Sequence, residues 1–183
     1  PQNLASVGEV APILRGAIAL DSGLEGAPKR FVLEYRTSEK ILNFCNAGNA
    51  GDLVRRGNAT PEHVIHIKRF GVALPAPVKG ELDQWAKTVR DAVAAYKDDY
   101  IAYFERNNAR VGGIKKMLDP RPRVFYVAGV GIFAAGATRK SAMVGADCVE
   151  ATVDVITNAE GIEAFEALPE PDLFDVEYWS LEQ

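Results

Sequence analysis

The stretch from Glu81 to Asn107 constrains this chain more than any other. Leu82, Trp85, Val89, Val93, Tyr96, Tyr100 and Tyr103 recur in it at steps of three and four residues. That period places the seven side chains on one stripe, so the spacing predicts a long amphipathic helix lying on an apolar surface. Val124-Phe125-Tyr126-Val127 is an apolar run with no polar alternation. It reads as a strand buried on both faces, which requires cover on both sides of its sheet. A second helical stripe, Met143, Ala146, Val149, Val153 and Ile156, runs through 138–159.

The remaining elements are shorter. Residues 4–20 read as a helix interrupted or kinked near Pro12, and a turn follows over 21–28. Phe31 to Tyr35 reads as a strand, and Thr37-Ser38 offers hydroxyl caps to a helix entered at Ile41. Asp52 to Arg56 is a helical turn closed by Gly57-Asn58. Thr60-Pro61 starts an apolar run, Val64 to Ile67, of undetermined type, and Phe70 to Pro75 reads as extended. Gly129-Val130-Gly131 turns the chain into a second short strand at Ile132 to Ala134, with Gly131 expected where a side chain is not tolerated. A short helix is predicted at 162–168. The tail 169–183 carries Leu173, Phe174, Val176, Tyr178, Trp179 and Leu181, too much apolar surface to hang free. These elements together predict an α/β fold with three layers, α/β/α, around a mixed central sheet.

With 183 residues, 48% of them apolar, the chain has the size and core material of one domain. Its formal net charge of −4 argues against a nucleic-acid partner, because no basic footprint exists for phosphate backbones. No apolar run approaches the roughly 20 residues that span a bilayer, and no secretory leader pattern opens the chain. Cys45 and Cys148 lack C-x-x-C spacing and read as buried thiols in a reducing cytoplasm. The chain opens Pro1-Gln2-Asn3 and stops at Gln183, which suits a piece of a longer protein as well as a processed whole one.

No residue pattern identifies a catalytic centre. His63 and His66 share a face if their run is helical, with Glu62 beside them, but zinc takes three or four ligands and the chain has no third histidine. Lys68 and Arg69 next to His66 form a cationic cluster suited to a sugar phosphate, and these three are the candidate substrate-binding residues. Solvated surface charge is the plainer alternative. Glu34, Asp52, Glu62 and Asp147 qualify as general bases by residue type alone. The 127–136 glycine segment has four residues between Gly131 and Gly136, too many for a dinucleotide-binding turn, and reads as a tight turn between buried elements.

Four segments in order carry a family resemblance: Ala59 to Arg69, Tyr100 to Arg106, Met117 to Gly136, and Leu168 to Gln183 with its Glu-Tyr-Trp-Ser-Leu-Glu-Gln ending. Together they resemble the middle of the bacterial bifunctional rhamnulose-1-phosphate aldolase/short-chain dehydrogenases. The resemblance implies a class II aldolase/adducin-like fold over 1–168, with 169–183 leading to a dehydrogenase domain that this chain lacks. It also implies a divalent metal, commonly zinc, and NAD in the parent protein, held by parts not present here. Tyr96-Lys97 and Tyr100 do not replace the dehydrogenase's Tyr-x-x-x-Lys pair.

In the aldolase pattern a metal sits on an H-x-H pair and a later G-H-G turn, but here Lys68 follows His66 and Val130 stands between the glycines. The expectation is therefore a degenerate or partial aldolase-like domain with a structural or substrate-shaping role, inactive alone, with no catalytic, cofactor or metal residues of its own. Its partners would be the remaining aldolase and dehydrogenase regions. Two alternatives stay open: a metal-dependent sugar-phosphate aldolase completed by another subunit, and a non-catalytic assembly module that self-associates.

Overall fold

The computed structural model describes residues 3–20 and 30–179. Four strands, β1 (Val32–Arg36), β2 (Val72–Leu74), β3 (Val124–Val127) and β4 (Gly131–Gly136), form one sheet in the order β1-β4-β3-β2. β3 pairs antiparallel with β4 and parallel with β2, while β4 pairs antiparallel with β1, so the sheet is mixed. The helices are α1 (Val7–Ala17), α2 (Glu39–Cys45), α3 (Ala50–Leu53), α4 (His63–Ile67), α5 (Leu82–Arg110), α6 (Arg139–Glu160) and α7 (Glu170–Glu177).

All four residues of β3 are buried, and their alternation divides the core. Phe125 and Val127 join α1, α5 and α7 on one face, whereas Val124 and Tyr126 join α2 and α6 on the other. β4 repeats the division, with Phe133 and Ala135 on the first face and Ile132 on the second. A strand apolar on both faces is satisfied only by this sandwich of helices, which is the expected three-layer arrangement.

Helix α5 buries Trp85, Val89, Val93, Tyr96, Tyr100 and Tyr103 of the predicted stripe and keeps Leu82 half-buried against the same cluster. It ends where Gly112 and Gly113 take positive φ, which stops a right-handed helix without a steric penalty. Helix α1 runs through Pro12, whose ring removes one amide donor from the ladder. Its entry is fixed by Glu9, whose Oε2 accepts from both the amide and the hydroxyl of Ser6 at 2.8 Å. The run 64–67, left open by its pattern, is the helix α4.

Some expectations need correction and others fall outside the described residues. Leu4 bridges to Val78 and does not begin α1. Residues 162–168 form no helix. The short helix forms further on as α7, where Pro169 and Pro171 suit a first turn whose N–H donors have no intrahelical acceptor and where Phe174 finds the core. The expected turn at 21–28 and Leu181 lie outside the described residues. The tail packs through Leu173, Phe174 and Tyr178, which are buried, while Val176 is half-buried and Trp179 is exposed.

Gly131 has φ +136, and a Cβ there would stand 2.5 Å from the Arg36 carbonyl oxygen. The adjacent pairing of β4 with β1 leaves no room for it, as expected for a hairpin glycine.

Candidate functional site

Helix α4 ends at Lys68, whose backbone has φ 61 and ψ −175, the one positive φ among non-glycine residues described. A non-glycine residue in that region carries backbone strain and persists only where surrounding contacts impose it. Two contacts do so here. The Asn58 side-chain amide, buried with it, donates to the Lys68 carbonyl at 2.8 Å. The Lys68 side chain turns inward, leaving the residue 5% exposed.

Its ammonium meets Glu177 of α7, with Nζ 3.7 Å from Oε1, and lies 3.8 Å from the Tyr100 ring centre. Glu177 is itself buried. The hydroxyls of Tyr100 and Tyr103 donate to its two oxygens at 2.7 and 2.9 Å, and the Tyr100 and Tyr178 hydroxyls are 2.7 Å apart. A carboxylate out of water needs this degree of hydrogen bonding. Burial first, and then the Glu177 charge, push the phenols of Tyr100 and Tyr103 well above their ordinary range, so they remain neutral donors. Burial also lowers the Lys68 ammonium to about 8, against the opposing pull of Glu177.

The three candidate substrate-binding residues are adjacent in sequence yet face different surroundings. His66 is exposed on α4. Lys68 points into the protein. Arg69 is largely buried and donates to Asp99 at 2.9 Å and to Glu170 at 2.6 Å, with its guanidinium 4.3 Å from the Tyr103 ring centre. His63 is half-buried, and its Nδ1 has no hydrogen-bond partner among the described residues. Burial lowers its pKa, helped by the neighbouring His66.

Among the candidate bases, Glu34 and Asp147 converge on one guanidinium, that of Arg36, at 3.7 and 2.5 Å. Asp52 and Glu62 stand exposed and apart from them. The glycine segment is the β3–β4 hairpin, with Gly129 at φ 73, and not a strand-to-helix loop. Cys45 and Cys148 are buried free thiols. Burial pushes Cys45 up to about 12, which keeps it protonated and inert.

Glu177 and Tyr178 are the residues that pattern reasoning passed over. Their signal was present: three tyrosines on the buried stripe of α5 need partners for their hydroxyls, and an acidic residue stands among the aromatics of the tail.

The profile of the family described as Aldolase class II, second domain, matches residues 5–183. The chain belongs to that family. A curated relative of this aldolase-type domain is YuxG of Bacillus subtilis (strain 168), named an uncharacterised oxidoreductase, which is 27% identical over 174 residues. That match covers 94% of this chain and 24% of YuxG, so the domain spans about a quarter of its relative's length. Among solved structures, YgbL of Escherichia coli, provisionally described as an aldolase/epimerase/decarboxylase, superposes with a TM-score of 0.50 at 14% identity over 79% of this chain and 56% of that one. This likeness speaks to the fold, the class II aldolase-like layering of helices on a mixed sheet.

Proposed function

We propose that this class II aldolase second domain is a degenerate, non-metal-bearing unit of a longer bifunctional rhamnulose-1-phosphate aldolase/short-chain dehydrogenase, serving deoxysugar catabolism in the cytoplasm. Its role is to shape and hold the aldolase region, while zinc and NAD belong to the rest of the parent chain. The observation that carries this is the fate of Lys68. At the place where the aldolase pattern would set a metal-ligating histidine, the chain has an ammonium paired internally with Glu177. A protonated amine has no lone pair for a metal.

The turn position, Val130, likewise belongs to the apolar cluster. Among the described residues, no group of three or more His, Cys, Asp and Glu side chains could hold a metal ion. The residues do not fit zinc, and no catalytic step is assigned through one. The oxidoreductase name of the much longer YuxG supports the dehydrogenase half of the proposal.

Reconstitution tests it. The remaining aldolase region, expressed separately, should cleave rhamnulose-1-phosphate poorly alone and regain activity when this domain is added. Full activity without the domain would remove its shaping role.

A further inference from the structure

Strand β2 lies at an edge of the sheet and pairs, among the described residues, with β3 alone. The register decides which of its peptide groups are used. Leu74 accepts from the Ala128 amide at 3.0 Å, so its N–H and C=O face β3, and by the alternation of a parallel ladder so do those of Val72. Ala73, between them, turns its N–H and C=O outward. Neither group has a hydrogen-bond partner among the described residues, although Ala73 is half-buried.

This edge is the base of a groove of about 280 Å³. Gly51 and Val54 line it from the α3 side, and Ala92, Ala95 and Tyr96 of α5 line it from the other. Val54 and Tyr96 belong to the clusters on opposite faces of the sheet, so the walls flank the edge above and below. Small residues keep the walls apart. A Cβ on Gly51 would meet nothing within 4 Å, and the two alanines reach in no further than a methyl group.

Unpaired backbone groups at a half-buried edge call for a partner, and extended chain offers donors and acceptors at the matching spacing. A second copy of the domain fits poorly, because its own β2 lies between the same two walls. A lone extended segment has no such walls. The start of the described chain stands close by: the Lys79 amide donates to the Asn3 carbonyl at 2.9 Å. Lys79 is five positions beyond Leu74 (79 minus 74), a stretch that spans at most about 18 Å. Polypeptide preceding this domain in a longer protein therefore enters beside the groove. The family description makes this the second domain, and YgbL extends beyond the 56% of its length that this chain matches.

We infer that the β2 edge is the docking site for an extended segment of the aldolase region preceding this domain, which adds a further strand to the sheet by pairing with Ala73. Its side chains toward the walls are small or apolar. The inference rests on the proposed function for the existence of that preceding region.

Deuterium exchange resolved to single amides tests the site. In the isolated chain the Ala73 amide is expected to exchange about a hundredfold or more faster than those of Val72 and Leu74, and in the full-length parent protein to slow into their range. Equal Ala73 rates in the two proteins would overturn the site. A photo-crosslinking p-benzoylphenylalanine in place of Ala95, an exposed residue on the groove wall, identifies the occupant. Circular dichroism confirms that the substituted parent folds.

Irradiation of the parent is expected to join position 95 to a peptide N-terminal to this domain in the same molecule. Joining to a second copy, to the region that follows, or to nothing would overturn the assignment. Full aldol activity of the remaining aldolase region without this domain would end the shaping role and leave the Ala73 exchange rates as they are, so the two proposals fail separately.

Discussion

Lys68 Nζ stands 3.7 Å from Glu177 Oε1, and this buried pair ties the strained end of α4 to α7 across the tyrosines of α5. Removing one partner leaves an uncompensated charge out of water, which costs about 3–5 kcal/mol for a buried pair. Lys68→Met and Glu177→Gln are each expected to lower stability by roughly that amount, and the double variant by clearly less than the sum. Urea unfolding of the four proteins measures it. Additive losses would show that the two groups do not interact.

The same pair predicts a pH dependence. Burial lowers the Lys68 ammonium to about 8 in the folded chain, against its ordinary value of 10.5 in the unfolded one. Between these values the unfolded chain binds more protons, so this group makes stability rise with pH across that window. The buried tyrosines and Cys45 act oppositely at the upper end, since they ionise first in the unfolded chain. They cancel in the difference between wild type and Lys68→Met. That difference is expected to shift in favour of wild type between pH 8 and 10. A ¹³Cε lysine NMR titration gives the midpoint directly, and one left near 10.5 would refute the lowered value.

Gly131→Val forces a β-branched residue to φ +136 with its Cβ on the Arg36 carbonyl. The expected loss is about 1–3 kcal/mol. An unchanged melting temperature would mean that the hairpin shifts freely to admit the side chain.

Deletion of 170–183 removes Leu173, Phe174 and Tyr178 from the core and leaves Lys68 without its carboxylate. Burial of three such groups contributes on the order of 5 kcal/mol, comparable with the whole stability of many domains. The truncated chain is expected to be largely unfolded by circular dichroism. A full-strength melting transition would reduce α7 to a linker.

The parts of the fold legible in the sequence were those where one periodicity spans many residues. The α5 stripe and the apolar β3 run each determine a face, and two faces determine the layers. The short helix near the C-terminal end was misplaced because Ile162 to Leu168 has apolar residues at helical spacing, yet Phe165 alone of its large apolar side chains packs on the core while Ile162 is 92% exposed and Leu168 is exposed too. The site was less legible for a different reason. Lys68 next to Arg69 looks like a surface pair, and nothing local reveals that a positive φ turns Lys68 inward toward a carboxylate 109 positions away (177 minus 68). Long-range pairing of this kind is a property of topology and not of spacing.

The proposed role, support of an aldolase region without performance of the aldol step, is tested most directly by one assay. The isolated chain, with rhamnulose-1-phosphate and added zinc, is expected to give no aldol cleavage above background, and none either with nicotinamide cofactor present. Cleavage above background that disappears in His66→Ala would contradict the claim and make His66 part of a working centre.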